Sequence, residues 1–236
     1  MNYAIIAAGE GSRLAQEGVT LPKPLVRLHG EPMIGRLINT FLSCGAESIS
    51  VIINESMPEV RTYLESLELP VPLRLTVKST AGSMQSFHEL SRTLDDGPFC
   101  LTTVDTVFSP EEFRRYIRAF EADTEADGYM AVTTYVDDEK PLYVAADTAD
   151  NITGFLDNAV PGVRYISGGI YALRPQGVEI LADCMEAGVT RMRDYQRALV
   201  ASGQRLKAYP FGKIIDVDHA ADIAAAEKEF PPSITT

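Results

Sequence analysis

The chain has 236 residues, 45% of them apolar, and a formal net charge of −12. This length and apolar content suit one large α/β domain over residues 1–236 with a full core. The charge argues against general nucleic-acid binding, which calls for a basic face, and no apolar run nears the ~18 residues of a membrane span.

No basic region precedes the first apolar run, so a signal peptide is not expected. Cys44, Cys100 and Cys184 show neither metal spacing nor a pairing pattern, which fits reduced thiols and a cytoplasmic protein. The charge is uneven. Residues 1–36 hold four cationic and three acidic side chains, +1 net, which leaves −13 for the rest. An acidic protein that binds polyanions needs such an island, or a cation, or both.

Tyr3–Ala7 is a short apolar run that reads as a buried strand. It breaks at Gly9 and Gly11, where a backbone can turn sharply and aim several N–H groups at phosphate oxygens. Arg13 and Lys23 add two positive charges, and Lys23 is bracketed by Pro22 and Pro24, each of which fixes its own φ. Three other readings compete. A dinucleotide fingerprint needs a third glycine where Leu14 stands, although Glu55 can imitate its ribose-binding acid. A Walker loop needs G-x-x-x-x-G-K, which is missing, and a plain strand-to-helix turn would also place glycines here.

The segment A-A-G-E-G-S-R-L at 7–14, followed by P-K-P-L at 22–25, resembles the two-part signature of the nucleotidyltransferases that make NDP-sugars. That superfamily also holds cytidylyltransferases of phosphocholine-like substrates and molybdenum-cofactor guanylyltransferases. The resemblance implies a Rossmann-like three-layer αβα fold with a central, mostly parallel mixed sheet and a small antiparallel subregion (a GT-A-like arrangement). Its nucleotide-binding half would be about residues 1–125 and its acceptor-binding half about 126–236. It also implies that Ala7, Ala8, Gly9, Gly11 and Ser12 hold a nucleoside triphosphate, with Arg13 and Lys23 catalytic.

After the His29-Gly30 turn, Pro32 opens a helix with apolar residues Met33, Ile34, Leu37, Ile38, Phe41 and Leu42 at helical spacing, closed by Gly45. A strand at Ser48–Ile53, a helix at Pro58–Leu67 and a strand at Val71–Lys78 follow, an alternation that implies a parallel sheet. At S-T-A-G-S, 79–83, Ser79 or Thr80 can cap the next helix, Met84–Leu94. The resemblance instead gives Thr80, Ala81 and Gly82 to the base and ribose. Phe99–Val104 is a strand ending in Asp105. Ser109-Pro110-Glu111-Glu112 is a complete helix start, so Asp105 is free of capping duty, at a strand end where open α/β sheets bind ligands. A turn-stabilising Asp is the alternative; the resemblance makes Asp105 a metal ligand.

From Gly128 the pattern turns to short strands (Gly128–Val136, Leu142–Asp147, Ile152–Leu156, Val163–Leu173), which suggests an antiparallel portion laid over the core. Gly168 and Gly169 mark a bulge or a close approach to a ligand; the resemblance puts them at the acceptor. The family's acidic-Lys-Pro segment before this strand is missing from F-L-D-N-A-V-P-G, 155–162, and Arg164 or Lys213 are the candidate substitutes. Helices at Pro175–Ala187 and Arg191–Ser202 and a strand at 206–211 lead to I-I-D-V-D-H. There Asp218 reads as a cap for an Ala-rich last helix, while Asp216 has no such task. The resemblance makes Asp216 a metal ligand, with Asp218 a second. His29, His88 and His219 share no spacing and read as satisfied or solvated.

Together these imply Mg²⁺-dependent transfer of a nucleoside monophosphate from an NTP to a phosphorylated acceptor, a sugar 1-phosphate before a phospho-alcohol. A non-catalytic nucleotide-binding module is a second reading, and a glycosyltransferase with an Asp-x-Asp motif a third. A nicotinamide dehydrogenase is a distant fourth. No β-helix extension follows, so a second acetyltransferase activity is not expected.

Overall fold

Strand β1 (Asn2–Ala7) is buried at every position, as an unbroken apolar run flanked by helices on both faces must be. The computed structural model describes residues 1–136 and 140–231. From β1 the chain passes through the short helix α1 (Ser12–Gln16), a tight turn at Lys23–Leu25 and a small hairpin of β2 (Arg27–Leu28) and β3 (Glu31–Pro32). Helix α2 (Met33–Ser43) buries Met33, Ile34, Leu37, Ile38 and Phe41 along one face, with Pro32 just outside it. Then come β4 (Ser48–Ile53), α3 (Pro58–Glu65), β5 (Leu73–Val77), α4 (Ser83–Ser91) and β6 (Phe99–Thr103).

These four strands lie parallel in the order β5-β4-β1-β6. The chain moves outward from β1 to β5, then returns to the opposite side of β1. Such a reversal opens a crevice at the carboxyl ends of the strands, where ligands bind in sheets of this kind. The loops after β1 and β6 flank it.

The second half holds β7 (Thr106–Phe108), α5 (Pro110–Ala122), β8 (Gly128–Thr133), β9 (Tyr143–Ala146), β10 (Ile152–Leu156) and β11 (Tyr165–Leu173). It continues with α6 (Gln176–Glu186), α7 (Met192–Ala201), β12 (Leu206–Pro210), β13 (Ile214–Asp216) and α8 (Ala220–Glu229). The antiparallel strands extend the sheet instead of lying over it. β11 is long enough to pair with β6 through Ile170–Leu173 and with β9 through Tyr165 and Ile166. β8 joins its other edge, and β12 adds to β8 in parallel. The β11–β8 register shifts between Ser167 and Tyr171, and Gly169 takes φ 72° there, so the glycine pair does mark a bulge.

Alternation along β1 sends Tyr3 and Ile5 to one face and Ala4 and Ile6 to the other. The first face packs against Phe41, Val60 and Phe113 of α2, α3 and α5. The second packs against Phe87, Leu181 and Tyr195 of α4, α6 and α7. This is the expected three-layer arrangement. Helix α8 adds Ala226, with Phe230 just beyond it, to a separate cluster that includes Leu28, Ile215 and Val217. It thereby holds β13 against the rest.

Candidate active site

The tight turn after Pro22 carries Lys23 inward. Leu25 N–H donates to the Pro22 carbonyl at 2.8 Å, and Lys23 is only 7% exposed. Its ammonium sits between two acids, 2.5 Å from Asp105 Oδ2 and 2.6 Å from Asp218 Oδ1. Burial alone would push its pKa down. The Asp105 and Asp218 carboxylates outweigh burial and hold it above the usual lysine value.

Gly11 makes this possible. It caps α1 at φ 63°, and a Cβ there would lie 2.9 Å from Lys23 Cβ. A Gly11→Ala change therefore meets both left-handed strain, about 1–2 kcal/mol, and a collision with the lysine stem. It is expected to lower Tm by ~3–8 °C. A thermal melt equal to wild type would contradict this reading of the turn.

The acids meet because β7 and β13 pair antiparallel, with Asp216 opposite Thr106 and Val217 N–H donating to the Asp105 carbonyl at 3.0 Å. Asp218 binds Arg13 Nη1 through Oδ2 at 2.9 Å as well as Lys23. Burial opposes the charged form of Asp218, but Lys23 and Arg13 prevail and hold its carboxyl below the usual range. Asp216 is pushed the other way, up to about 7, by burial and then by the neighbouring Asp105 charge. Protein packs densely around Asp216, yet its side chain opens into the cleft. Water there weakens the burial effect without reversing it.

Asp105 Oδ1 is buried and has no hydrogen-bond partner. An unsatisfied carboxylate oxygen next to a second, crowded carboxylate suits a hard dication, which takes oxygen ligands and fills its remaining positions with phosphate and water oxygens. Asp218, with both oxygens engaged by cations, offers no comparable free oxygen. Among the described residues no group of three or more ligating side chains forms a complete cage.

Two clefts join here. The first, about 570 Å³, is walled by Ala8 to Arg13, Lys23, Thr80 to Ser83, Asp105 and Asp218. The second, about 600 Å³, contains Asp216, Thr106, Gly169, Arg191, Arg193 and Gln196 among its lining residues. Ile6, Thr103, Ala81 and Gly82 border both. Neither Ser79 nor Thr80 caps α4. Gly82 is the cap residue, Thr80 Oγ1 bonds Ser86 Oγ at 2.6 Å, and Ser79 Oγ bonds Asn54 Oδ1 at 3.0 Å.

Several expected positions lie elsewhere. Ala7 points into the core beneath the first cleft; alternation along β1 gives the cleft to Ala8. Gly168 borders a third recess with Arg13, Asp216 and Asp218, and a Cβ there would meet Ile214 Cδ1 and crowd the Ala131 carbonyl. Lys213 binds Glu229 at 3.0 Å and stacks over Tyr135, lining a recess that lacks the site acids. Arg164 is on Asp150 and Tyr165. Glu55 accepts from Ser79 N–H and is outside both clefts' linings. Asp218 does not cap α8; His219 is the cap, and Asp222 completes the capping box, accepting from the Asp218 and His219 N–H groups. Arg191, Arg193 and Gln196 had no sequence signal beyond a helix start.

One further contact fixes α1. Glu17 meets His219 Nδ1 at 2.6 Å and accepts from Ala220 N–H at 2.6 Å. The Glu17 hydrogen bond raises the His219 pKa above 6.5, and the same contact lowers that of Glu17 below 4.5. The charged pair is complete below the unfolded imidazole value and above the unfolded carboxyl value. It is lost as pH rises through the raised imidazole pKa. A His219→Ala variant is expected to lose more Tm at pH 6 than at pH 8.5; equal losses at both would contradict a charged pair.

No helix among the described residues is long and apolar enough to cross a membrane. Residues 3–167 match the family model of the MobA-like NTP transferase domain. Over 231 residues the chain is 27% identical to a bifunctional IPC transferase and DIPP synthase of Rubrobacter xylanophilus, covering 95% of this chain and 51% of that protein. It is 33% identical over 114 residues to a 2-aminoethylphosphonate cytidylyltransferase of Lancefieldella rimae, covering 47% of this chain and 45% of that one. The chain spans about half the length of these curated relatives. The solved inositol-1-phosphate CTP transferase of T. maritima superposes with a TM-score of 0.79 at 18% identity, covering 97% of this chain and 96% of that one.

Proposed function

The chain belongs to the MobA-like NTP transferase family, and from that premise we propose that it moves a nucleoside monophosphate from an NTP to a phosphorylated small acceptor and releases pyrophosphate. The observation that carries this is Lys23, buried between Asp105 and Asp218 in the wall of the first cleft, beside the second cleft that Asp216 lines. The relatives named for inositol-1-phosphate and 2-aminoethylphosphonate are consistent with an anionic acceptor.

The first cleft takes the triphosphate against the backbone of residues 8–12. An acceptor phosphate oxygen in the second cleft attacks the α-phosphorus. A new P–O bond forms, the bond to the β-phosphate bridging oxygen breaks, and pyrophosphate leaves with that electron pair. The acceptor is already ionised, so no general base is required. Catalysis is in-line positioning plus charge stabilisation. Two like charges ~4 Å apart at an effective dielectric near ~20 repel by about 4 kcal/mol, and phosphates carry more than one charge each. Lys23 offsets that repulsion at the α-phosphate, and the half-exposed Arg13 meets the leaving pyrophosphate. Mg²⁺ held by Asp105 and Asp216 would supply further neutralisation between the two phosphates. Ala81 and Gly82 border the base and ribose.

Incubation with each common NTP, a panel of phosphorylated acceptors and Mg²⁺ tests this. Mass spectrometry is expected to find a product equal to NTP plus acceptor minus pyrophosphate. Absence of such a product across the whole panel would refute the transfer.

A further inference from the structure

The second cleft is the acceptor side of the proposed transfer, and the class of acceptor inferred for it rests on that proposal. Its cations come from the start of α7. Arg191 is open, its side chain 65% exposed, and pairs with Asp194 at 2.7 Å. Arg193 is set deeper, at 27% exposure. Its Nη1 donates to Asp157 Oδ1 at 2.6 Å and its Nη2 to the Lys140 carbonyl at 3.1 Å. Arg197 binds both Asp157 and Asp194. Three guanidinium groups against two carboxylates leave this network with one positive charge in excess. A guanidinium has five N–H donors, so these contacts orient Arg193 without exhausting it, and its planar fork suits phosphate oxygens.

The rest of the cleft is polar but neutral. Gln196 accepts from Ser167 Oγ at 3.1 Å and donates to the Tyr171 hydroxyl at 3.3 Å. Burial pushes the Tyr171 phenol up to about 12, which keeps it uncharged. Gln85 Oε1 is buried beside Gly82 with no donor. Its terminal amide torsion is soft, so it can turn to meet a donor in the cleft. Among the described lining residues Asp216 is the only carboxylate and Tyr171 the only aromatic ring. An ammonium group placed here would face two guanidinium groups. Asp216 is already crowded by Asp105, and the Tyr171 ring is buried. A hydroxyl group supplies the donor that Gln85 lacks without bringing a positive charge up to the guanidinium groups.

We propose that Arg193 binds the phosphate of the acceptor and that Gln85 accepts a hydrogen bond from the acceptor's hydroxyl-bearing body, so that the cleft takes a phosphorylated neutral polyol and rejects a phosphorylated aminoalkyl group. Arg193 then provides, from a helix, the acceptor cation that the 155–162 segment lacks, with Asp157 of that segment as its anchor.

Calorimetry on the full chain with Mg²⁺ and an α,β-methylene NTP tests this. Glucose 1-phosphate and inositol 1-phosphate are compared with phosphocholine and 2-aminoethylphosphonate. The polyol phosphates are expected to bind at least ~10-fold tighter than the aminoalkyl probes. Arg193→Gln is expected to weaken them by ~10–100-fold, with NTP affinity within about twofold of wild type. Asp157→Asn, which loosens Arg193 but keeps its charge, is expected to cost less. Gln85→Leu is expected to narrow the preference while phosphate binding persists. Equal or tighter aminoalkyl binding would overturn the proposal, as would an Arg193→Gln protein that binds like wild type. Equal losses in Arg193→Gln and Asp157→Asn would reduce Arg193 to a structural role and overturn it too. Selective polyol-phosphate binding without product formation would uphold this inference and refute the transfer reaction. Turnover with the opposite acceptor preference would do the reverse.

Discussion

Lys23→Ala is expected to reduce kcat by ~10²–10³-fold, the scale seen when a preorganised charge-stabilising donor is removed. The ammonium is nearly buried, held by two carboxylates, and placed in the wall of the first cleft. In the proposed transfer its charge acts where two phosphates must approach, so its loss should fall on the transition state more than on NTP binding, and KM should move less than kcat. The fold should suffer far less than the rate. Burial of Lys23 carries a desolvation cost that the ion pairs largely offset, and in the variant cleft water can hydrate the freed sides of Asp105 and Asp218. A shift of only a few degrees in Tm is expected. Steady-state kinetics beside a thermal melt check both halves. A Lys23→Ala protein with unchanged kcat would remove the lysine from the mechanism.

The second large effect belongs to the acids. Asp105→Asn and Asp216→Asn are each expected to lower kcat by at least ~10³-fold and to weaken Mn²⁺ binding, followed by electron paramagnetic resonance, by ~10–100-fold. Asp105 offers a buried oxygen without a partner, and Asp216 carries a carboxyl strained by its neighbour. A bound dication would relieve both. Asp218→Asn should behave differently. Its oxygens hold Lys23 and Arg13, so its loss should disturb the positions of those cations and leave Mn²⁺ affinity within about threefold of wild type. Equal loss of Mn²⁺ in all three variants would restore Asp218 to the ligand set. Unchanged Mn²⁺ binding in Asp105→Asn and Asp216→Asn would remove the metal from these residues.

The glycine turn after β1 was legible because its requirements are local. Gly11 must adopt φ 63° and leave room for Lys23, and the two prolines set the entry of that lysine. Asp105 was legible by elimination, since Ser109 does cap α5, accepting from the Glu112 N–H. The acceptor cation was not legible. Arg193 gains its position from Asp157, 36 residues away in the chain, through packing of α7 on β10 that leaves no spacing pattern. Lys213 was a candidate substitute for the missing lysine; the fold turns it toward Tyr135 and Glu229. Asp218 looked like a cap because helix starts favour Asp, but the cap falls one residue later, on His219, with Asp222 closing the capping box. The antiparallel strands were found, yet their union with the parallel sheet depends on β11 bridging β6 and β9, a long-range pairing.

A crystal structure with Mg²⁺ and an α,β-methylene NTP tests the central claim most directly. The triphosphate is expected against the backbone of residues 8–12, with the α-phosphate within reach of Lys23 Nζ and the metal bound by both Asp105 and Asp216. A triphosphate seated in another recess, or a metal bound without those two carboxylates, would contradict it.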